Sequence, residues 1–313
     1  EFRAAMGGCC GEGSDNSAKA CAGPAQGGCC GPAPPASAAS KQNVVDGVKE
    51  YYGETLQSSG DLKTSACTAC EKPPQEILDI IKKIPDEVNS KFYGCGYPTP
   101  LGIEGKRVLD LGCGSGRDCY IASALVGEAG TVVGVDMTEQ QLAVAKQHAE
   151  PYCRQQLGYL ESNMRFLHGY IEELTTSLGL KENSVDLIIS NCVVNLSVNK
   201  DKVLEQLHRV LATGGEFQFS DVFTDTALSP EIQSHKVLVG ECLGGAMEVE
   251  AFKSLAKKVG FDAPALVSQT GIEVHDKELR SLLGDAKFWS ITWRLTKGGG
   301  SAAGGCCAGK KCC

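Results

Sequence analysis

Apolar positions between about residues 43 and 295 follow two alternating periods. The stretches "NVVDGVKEYYGETL" (43–56) and "PPQEILDIIKKIPDEVNSKFYG" (73–94) carry them at helical spacing. Short apolar runs then appear at "KRVLDLG" (106–112), "GTVVGVD" (130–136), "MRFLHGY" (164–170), "VDLIISN" (185–191) and "GEFQFSDV" (215–222). Helical patterns separate them, after Arg117, over about 139–157 and over 200–211. Strands alternating with helices predict a parallel, doubly wound α/β sheet. Two more helices are expected near 229–242 and 248–259. After them, "APALVSQTGIEV" (263–274) and "FWSITWRL" (288–295) predict an antiparallel edge. Residues 1–40 and those from 298 onward hold too few large apolar side chains to offset chain entropy, and both are read as disordered tails. The folded part divides into 41–222, around the repeating strand–helix units, and 223–297.

Composition narrows the function. The chain has 313 residues, enough for one enzyme-sized unit with a sizeable core. A net charge of −8 and the lack of a Lys/Arg run argue against nucleic acid, whose phosphates need a basic surface. No run approaches the roughly 20 apolar residues of a membrane span. A cytoplasmic protein is the expectation, with a monomer as the default. The 17 cysteines are the unusual feature. Eight form adjacent pairs near the two ends, a pattern foreign to a disulfide scaffold, so reduced thiols that bind or react are the better reading.

The turn "VLDLGCGSGRD" (108–118) sets Gly112, Gly114 and Gly116 between a strand and a helix. There glycine permits close backbone approach, and the helix start offers amide donors to a ligand. Asp136 closes the second strand 20 residues after Gly116, where a carboxylate can accept both hydroxyls of a ribose. With Asp110 two positions before the first glycine, the spacing D-x-G-x-G-x-G resembles that of class I S-adenosylmethionine-dependent methyltransferases rather than a dinucleotide fold. The resemblance implies a seven-stranded Rossmann-like sheet with its last strand antiparallel, and S-adenosylmethionine as cofactor. It also implies that Met137 packs beside the adenine and that Ile171 and Glu172 cap it. Tyr93 and Asn191 join this set as neighbours of the donor.

Away from the ends remain Cys67, Cys70, Cys95, Cys113, Cys119, Cys153, Cys192 and Cys242. Cys113, Cys119 and Cys153 are read as packed side chains. Cys67 and Cys70 form a lone CxxC with no partner pair for a structural zinc site. The motifs "TSACT", "FYGCGY", "SNCVVNL" and "GECLGGA" together resemble the arsenite S-adenosylmethionine methyltransferases across about 44–295. That resemblance implies four functional cysteines, Cys67, Cys95, Cys192 and Cys242. It makes Cys192 and Cys242 the lasting arsenic ligands, and Cys67 and Cys95 a redox pair, with Cys95 able to join the binding thiols. It further implies arsenite or its glutathione and other thiol adducts as substrate, and a thiol reductant such as thioredoxin or glutathione.

The chemistry agrees with that resemblance. As(III) is thiophilic, and its lone pair can attack a sulfonium methyl group without a general base. Transfer formally oxidises arsenic to As(V), and closure of a cysteine pair to a disulfide returns two electrons. Two alternatives stand beside this reading. One is a methyltransferase acting on a quinone or another small molecule, with Asp221, His168 or His208 as acid or base. The other is a thiol-rich arsenic or metal scavenger built on the cysteine pairs.

Overall fold

The computed structural model describes residues 46–48 and 72–298. The helical stretch expected over 73–94 is two short helices, α1 (Gln75–Ile81) and α2 (Asp86–Ser90), parted at Pro85. A proline lacks the amide a continuous helix needs, but suits the position before a new one. The Pro85 carbonyl accepts from the Val88 and Asn89 amides and so starts α2.

Strands and helices then alternate: β1 (Arg107–Leu111), α3 (Arg117–Val126), β2 (Thr131–Asp136), α4 (Glu139–Tyr152), β3 (Met164–His168), β4 (Val185–Asn191), α5 (Lys200–Val210) and β5 (Leu211–Thr224). The expected helix over 229–242 is interrupted at His235, giving α6 (Pro230–Ser234) and α7 (Lys236–Gly240). A two-residue strand β6 (Met247–Glu248) leads into α8 (Val249–Val259). The chain ends with β7 (Ala265–Gly271), α9 (Lys277–Leu283) and β8 (Phe288–Thr296). The pattern of apolar positions does not announce α9. It is started by Asp276, whose carboxylate accepts the Glu278 and Leu279 amides.

The strands lie in the order β3-β2-β1-β4-β5-β8-β7, with β6 pairing beside the end of β5. The first five are mutually parallel, and β8 runs antiparallel to both β5 and β7. This is the expected seven-stranded path with its last strand antiparallel, plus the short β6. The strand β5 spans position 222, and β8 pairs along it from Glu216 to Thr224.

Helices cover both faces of the sheet. Tyr120, Ile121, Leu142, Tyr152 and Phe166 fill one side, with Cys113, Cys119 and Cys153 packed among them as expected. Leu204, Leu207, Phe217, Phe219, Phe252 and Trp293 fill the other. A third apolar cluster gathers Cys95, Cys192, Val222, Leu238, Cys242 and Phe288. It lies beyond the carboxyl end of β4, the edge at which parallel sheets bind ligands.

Candidate active site

The Gly-rich turn is built as its spacing requires. The Cys113 amide donates to the Val135 carbonyl at 3.1 Å, and the Gly116 amide returns to the Cys113 carbonyl at 2.8 Å. Gly112 adopts φ +62°, and a Cβ there would meet Val193 at 2.3 Å. Asp136 reaches back to the turn. Its Oδ2 accepts from the Gly114 amide at 2.9 Å and its Oδ1 from the Thr138 amide at 2.8 Å.

The turn opens on a cleft. Its walls include Tyr93, Asp110, Gly112, Gly114, Asp136, Met137, Ile171, Glu172, Asn191 and Cys192. Gly116 is placed elsewhere: a Cβ on it would press on Ala145, Tyr120 and Phe166, so it serves the packing of α3. Burial pushes the carboxyl groups of Asp136 and Asp110 upward, and the nearby Asp118 raises Asp110 further. A carboxylate at a strand end, backbone amides and the apolar flanks of Met137 and Ile171 form a donor set suited to a nucleoside. Asp118, Thr138, Gln141 and Ser197 also line the cleft and escaped the sequence reading. Asp118 stands in the first turn of α3, where an acidic residue is common and signals nothing further.

The described cysteines of the motif set converge. Cys95 precedes β1, Cys192 follows β4 and Cys242 follows α7, yet Cys95 and Cys192 are joined by a disulfide with their Cα atoms 6.0 Å apart. The Cys242 thiol donates to the Cys192 carbonyl at 3.1 Å. The expected redox pairing of Cys95 with Cys67 falls outside the described residues on the Cys67 side, while the link to Cys192 puts Cys95 beside one of the expected binding thiols. Cys67, Cys70 and the paired cysteines of both ends lie outside the described residues. Cys192 and Cys242 share a second trait, left-handed backbone angles of φ +57° and +64°. Few residues other than glycine adopt this conformation, and it collects at functional sites.

Asn191 holds the Cys95 loop in place. Its Oδ1 accepts from the Cys95 amide at 2.9 Å and the Gly96 amide at 3.2 Å. Its Nδ2 donates to the Gly96 carbonyl and to Asp118 Oδ2, each at 2.9 Å. All four positions of the amide are thereby used. Ser290 on β8 donates to the Cys95 carbonyl at 2.6 Å. Asn191 therefore touches both the cleft and the backbone of the Cys95 loop.

Asp221 departs most from its sequence appearance. It reads as the lip of a strand or the cap of a turn, but it is fully buried within β5. Ligand atoms of Cys192, Asp221 and Cys242 all lie within 4.8 Å of one another. Asn195 donates to Asp221 from its amide at 3.0 Å and from its Nδ2 at 2.8 Å, and burial raises the carboxyl to about 7. The other acid–base candidates stand apart. His168 lies near the cleft mouth with its ring against the Met137 carbonyl, and His208 packs edge-on to Phe261.

A methyltransferase-domain family matches residues 103–260. An arsenite methyltransferase of Aquipseudomonas alcaligenes is 48% identical over 252 residues, 80% of this chain and 72% of that protein. The Homo sapiens arsenite methyltransferase is 46% identical over 251 residues. The match covers 80% of this chain and 66% of the human protein, so the chain spans about two thirds of that relative's length. The crystal structure of an arsenic(III) S-adenosylmethionine methyltransferase from Chlamydomonas reinhardtii superposes with a TM-score of 0.70 at 53% identity, covering 73% of this chain and 76% of that one.

Proposed function

The chain belongs to the arsenite methyltransferase family, and on that premise we propose that it transfers methyl groups from S-adenosylmethionine to thiol-held As(III), giving methylated arsenicals. One observation carries this reading: Cys192 is at once a wall of the nucleoside cleft and a corner of the Cys192–Asp221–Cys242 cluster. A thiophilic atom held there lies beside the bound donor.

The residues fit the cofactor. Asp136 would take the ribose hydroxyls, the Gly112–Gly114 turn would admit the amino-acid end, and Met137 and Ile171 would flank the base. When bound, S-adenosylmethionine supplies a methyl group on a cationic sulfur. The protein's own part is placement. Cys192 and Cys242 hold arsenic by two sulfurs, and the apolar cluster of Val222, Leu238 and Phe288 keeps water from the reacting centre. No base is required, because arsenic attacks through a lone pair. Transfer leaves arsenic two electrons short of As(III). Two cysteine thiols that close to a disulfide give up two electrons and two protons, and an external dithiol or glutathione returns them. The Cys95–Cys192 link supports Cys95 as one member of that relay, with Cys67 as the further thiol implied by the motif.

The test is arsenite binding to the reduced full chain by equilibrium dialysis, alongside transfer of a labelled methyl group. Cys192→Ser and Cys242→Ser should each abolish arsenite binding. Cys67→Ser should bind arsenite and lose turnover on it. Arsenite binding retained in Cys242→Ser overturns the ligand assignment. A quinone methyltransferase would instead keep its activity in the serine variants and lose it in Asp221→Ala.

A further inference from the structure

Two constraints meet on the segment that carries Cys95. One is the disulfide to Cys192, and the other is the donor cleft, whose wall includes Lys91, Phe92 and Tyr93 just before that cysteine. We propose that Asn191 is a positioning residue that couples the two. A nucleoside in the cleft holds the Cys95–Cys192 disulfide closed, so an external thiol reopens it more readily once the spent donor has left. The inference rests on the cleft being the donor's and does not depend on how arsenic is held.

Asn191 is the contact between the two sites. It is buried at the end of β4, walls the cleft and spends its amide in both directions. On one side its Oδ1 accepts from the Cys95 and Gly96 amides and its Nδ2 donates to the Gly96 carbonyl. On the other, Nδ2 donates to Oδ2 of Asp118, a buried cleft residue whose carboxylate accepts no other hydrogen bond among the described residues. The guanidinium of the neighbouring Arg117 lies over the Phe92 ring, 3.9 Å from its centroid. The first turn of α3 thereby grips the segment at two points, at Phe92 directly and at Gly96 through Asn191. The fit between them is close, since a Cβ on Gly94 would come within 2.6 Å of Asn191 Nδ2 and one on Gly96 would press on Ser220.

A ligand that touches Phe92 and Tyr93 on one wall and Asp118 and Asn191 on the other binds best when the segment lies against Asn191. That is also the position in which Cys95 reaches Cys192, with their Cα atoms 6.0 Å apart. Opening the disulfide removes the covalent member of this set. Two constraints that favour one arrangement reinforce each other, and the coupling is reciprocal. Reduction balances as a thiol exchange: two glutathione thiols give two electrons and two protons to the Cys95–Cys192 bond, leaving two cysteine thiols and one glutathione disulfide. The bound nucleoside raises the cost of that exchange without taking part in it.

Redox titration of the full chain in glutathione buffers, with and without saturating S-adenosylhomocysteine, tests the coupling. After the thiols are trapped by alkylation, the linked Cys95–Cys192 peptides are counted by mass spectrometry. Saturation should raise the [GSH]²/[GSSG] ratio at half reduction about tenfold, equivalent to about 30 mV. In Asn191→Ala the ratio should be lower throughout and rise by less than about twofold on saturation. An unchanged ratio in the wild type overturns the inference, and that reading needs no variant. A tenfold rise kept in Asn191→Ala overturns it too, because a residue that only supports the fold shifts both ratios alike. Asp118→Asn leaves the bonds of Asn191 to the Cys95 loop in place and should cut the rise to less than about threefold, whereas a full rise overturns the route through Asp118. Absence of any rise in the wild type's thermal midpoint with S-adenosylhomocysteine overturns the cleft assignment and this inference together.

Discussion

Cys192 and Cys242 carry side chains where the backbone is left-handed. A side chain on a left-handed residue costs about 1–2 kcal/mol, which glycine avoids. Cys242→Gly should therefore be more stable to urea than Cys242→Ala by about 1 kcal/mol, reversing the order usual for buried positions. Asp221 makes a second prediction. Its carboxyl ionises at about 7 in the folded protein against 3.8 in an open chain, because burial disfavours the charge. Between those values the folded state holds a proton that the unfolded state has released, so this group's contribution to stability is full below about pH 4 and lost as pH rises through about 7. Urea midpoints of the wild type, taken relative to Asp221→Asn, should fall across that window and level off above it. The sulfurs were legible in the sequence because their flanking motifs are distinctive. The aspartate was not, since a carboxylate at the end of a strand looks the same whether it faces solvent or a buried thiol pair.

Among the elements, the strands were the easiest to read. Central parallel strands are buried on both faces, and the largely apolar run "VDLIISN" returns as β4 with the same bounds. Helix ends were harder, because a single residue can decide them. Pro85 divides α1 from α2, His235 divides α6 from α7, and Asp276 starts a helix too short to show a period. The link between β4 and the Cys95 loop was invisible, since Asn191 and Cys95 are 96 positions apart. Asn191→Ala should remove that link at a cost of about 2 kcal/mol in urea unfolding of the reduced protein, because it strands two buried amides. It should also make the Cys95–Cys192 disulfide easier to reduce, as read by equilibration against a glutathione buffer of known poise.

Across the whole molecule, one sheet carries both the cleft and the thiols. The turn after β1 and the end of β2 build the cleft, while the end of β4 brings Cys192 to its wall and β5 sets the buried Asp221 beside that cysteine. Binding in the cleft should therefore be felt by the fold as a unit. S-adenosylhomocysteine at a hundred times its Kd should stabilise the chain by about 2.7 kcal/mol, seen as a rise in thermal midpoint of several degrees. Asp136→Ala should remove most of that rise while leaving arsenite binding intact. The order of the sheet followed from the alternation of periods, but the meeting of cleft and thiols depended on which strand ends became neighbours. That is a property of topology and not of any local stretch.

The left-handed backbone at positions 192 and 242 bears on how such a protein can change. At both sites glycine fits the main chain better than cysteine does, and a single codon step separates Cys from Gly. A change to glycine there relieves the left-handed backbone, at the cost of a small gap in the apolar cluster, and leaves the sheet and the cleft in place, so the sulfurs proposed to hold arsenic lie one substitution from loss.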